Sequence, residues 1–96
     1  MNGETGANRT ERIRSRLEAA FAPAALEIVD ESHKHAGHPG ARSGGGHFLV
    51  RIVSPAFAGR SLLERHRMVY EALGEMMHGD IHALSIEART PDEAGG

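Results

Sequence analysis

The chain predicts an α+β domain of two layers, with helices on one face of a three-stranded mixed sheet. Three observations predict it. Apolar residues recur at helical spacing over 13–21, apolar and polar residues alternate over 47–53, and a second helical period follows a capping motif at Ser61. The first helix carries Ile13, Leu17, Ala20 and Phe21 on one face, with Arg12, Arg14, Arg16 and Glu18 elsewhere. Thr10 or Asn8 is its expected N-cap and Pro23 its stop. A strand over 26–31 puts Leu26 and Ile28 on one side and Glu27 and Val29 on the other. The clearest strand, 47–53, sets Phe48, Val50 and Ile52 against His47, Leu49 and Arg51. These two strands most simply form a long antiparallel hairpin.

Ser54-Pro55 opens a turn with one short helical turn near Ala56. Ser61-Leu62-Leu63-Glu64 is a capping box, in which serine and glutamate exchange hydrogen bonds with each other's amides. The helix it starts is expected to bury Leu62, Val69, Leu73 and Met76, interrupted by His66, and to end near a left-handed Gly79. A third strand over 81–87 places His82 with Leu84 and Ile86. The first and last strands are expected to meet at the middle or edge of the sheet, an order that periodicity does not give. Residues 1–8 read as a disordered lead-in, 9–90 as the domain and 91–96 as a disordered tail.

Composition narrows the function. With 11 Lys+Arg against 13 Asp+Glu the net charge is −2, so bulk charge does not call for nucleic acid. There is no cysteine, which removes disulfides, thiolate catalysis and a self-sufficient thiolate metal site. No apolar run is long enough for a membrane span, and the polar start of the chain argues against a secretory signal. A cytoplasmic location is expected. No nucleophile elbow or phosphate loop is present, and Gly44-Gly45-Gly46 follows a strand and a loop rather than opening a helix. The chain is not read as an enzyme.

The stretch 33–47 concentrates histidine and glycine: His33, His35, His38 and His47 stand among five glycines. Loops this long within a compact domain are usually functional or disordered. A divalent-ion site made of His33, His35 and His38 lacks a companion Asp/Glu/His motif, and the glycines disfavour a preformed tetrahedron. Taken singly, His82 reads as a half-buried strand histidine, His66 as a hydrogen-bonded core histidine and His47 as an exposed residue at a strand entrance. His78, at a helix end, is assigned no role.

Asp30-Glu31-Ser32, His47-Phe48-Leu49-Val50, Phe57-Ala58-Gly59, Arg65-His66-Arg67-Met68-Val69-Tyr70 and Ile81-His82-Ala83-Leu84-Ser85-Ile86, in this order, resemble the BolA family over about residues 9–90. The resemblance implies a class II KH-like fold, αββααβ. It also implies a heterodimer with a monothiol, CGFS-type glutaredoxin around a shared [2Fe–2S] cluster, with no cofactor when the chain is alone. By the same resemblance the ligands on this chain are His82 and a loop histidine, His35, with His33, His38 and His47 as alternates. The glutaredoxin cysteine and glutathione would supply the thiolates, which a chain without cysteine requires in any case. The alternative is a DNA-binding regulator of cell shape and stress response, using a basic patch of Arg51, Arg60, Arg65 and Arg67. Against it, Gly59-Arg60-Ser61-Leu62 lacks the second glycine of a KH GxxG loop.

Overall fold

The computed structural model describes residues 6–32 and 46–95. Helix α1 (Gly6–Phe21) leads into β1 (Ala25–Asp30) and β2 (Gly46–Val53). A 3₁₀ turn (Pro55–Phe57), α2 (Leu62–Leu73) and a second 3₁₀ turn (Gly74–His78) then lead into β3 (Ile81–Arg89) and a short α3 (Pro91–Gly95). The sheet is mixed: β1 pairs antiparallel with β2, and β2 parallel with β3. β2 lies in the middle, so the expected meeting of first and last strands does not occur. A parallel β2–β3 pair needs a crossover, and α2 supplies it.

Alternation along β2 decides which face is covered. Phe48, Val50 and Ile52 are buried against Ile13 and Leu17 of α1 and Val69 and Leu73 of α2. Phe57 closes the core at one end, its ring 5.0 Å from that of Phe21. Ser54 is fully buried but satisfied, donating to the Phe21 carbonyl at 2.8 Å and accepting from the Ala56 amide at 3.1 Å. All of these helical contacts fall on one face of the sheet; the other face carries His47, Leu49 and Arg51.

The capping box forms as expected, with Ser61 Oγ accepting from the Glu64 amide and Glu64 Oε1 from the Ser61 amide. That amide is the main reason the Glu64 carboxyl lies below its usual range.

Several expectations are corrected. α1 begins at Gly6, so Thr10 and Asn8 lie inside it rather than capping it, and residues 6–8 belong to the helix. It ends where Ala22 takes a left-handed φ of 43°. The buried stripe of α2 is Arg65, Val69 and Leu73, and Leu62 is exposed. α2 stops at Gly74, whose φ is +55°, and Gly79 has a negative φ of −157° rather than the left-handed one. Arg16 Nη1 donates to the Leu73 carbonyl at 3.1 Å, tying α1 to this end of α2. The expected disordered tail is instead the helix α3 over Pro91–Gly95.

Candidate functional site

At the start of β3 the pairing with β2 slips. Gly46 is opposite Ile81, but His47 is opposite Ala83, so His82 is the extra residue of a bulge. Bulges re-aim side chains, and this one reverses the parity that placed His82 beside Leu84. Ile81 and Leu84 both turn toward the core, while His82 is exposed. Its ring meets that of His47 at a centroid distance of 5.1 Å and an interplanar angle of 35°. Since His47 alternates with the buried Phe48, the two imidazoles stand on the sheet face opposite the helices, where His82 is exposed and His47 is half-buried with its Nε2 shielded from solvent.

Backbone clamps fix this pair. The Ser32 amide donates to Asp30 Oδ1 at 2.9 Å, a local turn that aims Ser32 Oγ at the His47 amide, 3.0 Å away. The Glu31 amide donates to the His47 carbonyl at 2.7 Å. On the other side the Gly46 amide donates to the Asp80 carbonyl at 3.0 Å, and the Asp80 carboxylate is held by Arg12 of α1 at 3.2 Å. Gly46 is buried, and a Cβ there would meet Phe48 Cε2 at 2.6 Å and Ser32 Oγ at 2.8 Å. Glycine is thus required by close approach.

Of the expected ligands, His82 and His47 come together. His35, His33 and His38 lie outside the described residues. Among the described residues no three of His, Asp and Glu gather as a metal cage. Two imidazoles suit an intermediate metal such as iron, and replacing two thiolates by histidines on one iron is established chemistry for a [2Fe–2S] centre. Of the two, His82 presents an exposed imidazole of the kind such a ligand set uses.

The expected basic patch does not assemble. Arg51 lies on the uncovered face between Glu27 (3.1 Å) and Glu87 (3.4 Å), which raise its pKa, the Glu27 hydrogen bond most. Arg65 is turned inward with 7% exposure. Its Nε donates to the Arg60 carbonyl at 2.9 Å, and its Nη1 to the Ala88 carbonyl at 3.0 Å. Its two terminal nitrogens also form a fork on Glu93 of α3, at 2.6 and 3.0 Å. This fork, aided by the Thr90 amide, lowers the Glu93 pKa to about 2. Arg65 is a structural clamp and is unavailable to a phosphate. Only Arg60 and Arg67 of the four remain exposed and outside an ion pair among the described residues.

The sequence pattern did not reveal the Arg65–Glu93 clamp, Ser54 or the pairing of His47 with His82. The Asp30-Glu31-Ser32 run did carry a signal, because an Asp-x-Ser turn offers a hydroxyl to a neighbouring strand.

Comparisons with known proteins agree with this fold. The family model described as BolA-like protein matches residues 17–93. Human BolA-like protein 1 is 49% identical over 79 residues, covering 82% of this chain and 56% of that protein. The DNA-binding transcriptional regulator BolA of Escherichia coli is 44% identical over 86 residues, covering 90% of this chain and 79% of the relative. The chain spans 28 to 58% of the length of the plant and mammalian relatives it matches. Among solved structures, the BolA domain of SufE1 from Arabidopsis thaliana superposes with a TM-score of 0.79 at 48% identity, covering 88% of this chain and 94% of that one.

Proposed function

Since the chain belongs to the BolA-like family, we propose that it is a non-catalytic iron–sulfur adapter that docks on a monothiol glutaredoxin. The contact of His82 with His47 on the sheet face opposite the helices carries this reading. His82 is the fixed ligand, set by the bulge. The second nitrogen comes from His47 or from the loop histidine His35. With no cysteine in the chain, thiolates come from the glutaredoxin and from glutathione. Histidine ligation at one iron raises a cluster's reduction potential relative to all-thiolate ligation, which suits a shared cluster to sensing or onward transfer.

Mixing the protein with a CGFS glutaredoxin, glutathione, ferrous iron and sulfide tests this. The mixed complex is expected to show a visible absorption and circular dichroism spectrum distinct from that of the glutaredoxin homodimer. His82→Ala returns it to the homodimer form. Parallel His35→Ala and His47→Ala variants identify the second ligand. An unchanged spectrum in His82→Ala rejects the assignment.

The E. coli relative, a DNA-binding transcriptional regulator by name, keeps a DNA-binding reading in view. It now rests on Arg60 and Arg67, since Arg51 and Arg65 are committed to carboxylates. Titration with promoter DNA at two salt concentrations separates the readings. No binding at low salt ends the second one.

A further inference from the structure

The start of β3 has two registers open to it. Counted back from the His47–Ala83 pair, a regular ladder would set His82 opposite Gly46 and, by alternation, on the helix-covered side with Leu84. The observed ladder instead seats Ile81 opposite Gly46 and leaves His82 as the extra residue, its ring beside that of His47. A bulge forfeits regular pairing, so contacts outside the ladder must hold it.

Two contacts do so. One is apolar: Ile81 is 3% exposed in the core. The other is ionic and comes from the first half of α1. The Asp80 carboxylate lies 3.2 Å from Arg12 Nη1 and 4.0 Å from Arg9 Nε, while the Asp80 carbonyl accepts from the Gly46 amide at 3.0 Å. The regular register would move Asp80 outward by one strand residue, about 3.3 Å, far enough to break its contact with Arg12. The side chains of Asp80 and Arg9 are 27% and 19% exposed, so solvent screens this grip only in part.

The same helix holds the other end of the connection into β3. Arg16 Nη1 donates to the Leu73 carbonyl at 3.1 Å. Arg9, Arg12 and Arg16 follow one another at spacings of three and four, along one flank of α1. With both ends of the segment 73–80 held by α1, its last residue has little freedom to slide outward. Arg9 and Arg12 precede the residues 17–93 that the family model matches, so the matched region does not itself supply this grip.

We propose that Asp80, gripped by Arg12 and Arg9, is the positioning residue for His82. The ion pairs hold the bulged register and so keep the imidazole on the His47 side of the sheet. The consequence for a cluster rests on the reading of His82 as a ligand; the register is a property of the free chain.

Nuclear magnetic resonance on the free, full-length chain tests the register. The His47 and His82 ring protons are expected to share a cross-peak, as do those of Phe21 and Phe57, whose centroids are 5.0 Å apart in the core. Asp80→Asn weakens the histidine cross-peak relative to the phenylalanine one. Relaxation dispersion at the Ile81, His82 and Ala83 amides then shows the minor register rising roughly two- to fivefold, the bias of one partly exposed ion pair. Arg12→Gln acts in the same direction, and Arg12→Lys, which keeps the charge, restores the wild-type pattern. In the mixed complex with a glutaredoxin, Asp80→Asn weakens the ¹⁵N coupling from His82. An unchanged histidine cross-peak and unchanged dispersion in Asp80→Asn overturn the proposal, even if the melting temperature falls. A shifted register in Asp80→Asn, with an unchanged complex spectrum in His82→Ala, sustains the positioning role and rejects the ligand reading instead.

Discussion

The two ends of β3 handle polar side chains in opposite ways. At its close, Arg65 is buried and meets two carbonyls and a carboxylate, so its charge is fully used inside the protein. At its opening, His82 is pushed out by a bulge to an exposed position, its ring centroid 5.1 Å from that of the half-buried His47. One end commits its polar groups to holding α2, β3 and α3 together. The other clamps its backbone and turns the His82 imidazole out to solvent. Charge alone does not mark a site: the arginine that sequence reasoning offered to a phosphate is architecture, and the strand-entrance histidine named only as an alternate ligand sits beside the expected one.

The sharpest contrast is in stability. Arg65→Ala strands the Glu93 carboxylate and two carbonyls, and it is expected to lower the melting temperature more than Gly46→Ala or Ser61→Ala does. Arg65→Lys recovers part of the loss, keeping the charge but losing the planar fork. The visible spectrum of the mixed cluster complex should survive in Arg65→Lys; its loss there would erase the distinction between the two ends.

Gly46→Ala comes next, at about 1–3 kcal/mol from overpacking, because its Cβ collides with Phe48 and Ser32. This strain falls under the histidine pair, so thermal melting and cluster assembly should both suffer. Ser61→Ala, at the start of the helix that carries Arg65, costs about 1 kcal/mol in chemical denaturation and leaves cluster assembly intact.

The clamp also has a pH signature. The Glu93 pKa is lowered in the folded protein from 4.5 to about 2. Its stabilisation is therefore complete above 4.5 and is lost as pH falls toward 2. The stability gap between wild type and Glu93→Gln should be widest at neutral pH and close through that acid window. A gap that does not change with pH would mean the ion pair is not the source. Smallest of all, His82→Ala should leave the melting temperature where it is while removing the cluster spectrum.

Much of the fold was legible because its signals are local and periodic. Phe48, Val50 and Ile52 alternate as a half-covered strand must, and Ser61 with Glu64 announces the helix it caps. The element order followed. What escaped is non-local or aperiodic. A single extra residue at His82 reverses a face without altering composition, so parity placed that side chain wrongly. Arg65 counts as polar in any hydrophobic stripe, which shifted the reading of α2 to Leu62, and its partner Glu93 lies 28 residues away. Of the candidate site, the resemblance named His82 and, as an alternate, His47, while the contact between their rings needed the register of β2 and β3.

The central claim is that His82 supplies nitrogen to iron in a cluster shared with a glutaredoxin. Pulsed electron paramagnetic resonance on the reduced mixed complex, prepared with ¹⁵N-histidine in this chain only, tests it most directly. The account predicts two strong histidine nitrogen couplings, of which His82→Ala removes one. A wild-type complex with no strong coupling from this chain would contradict it.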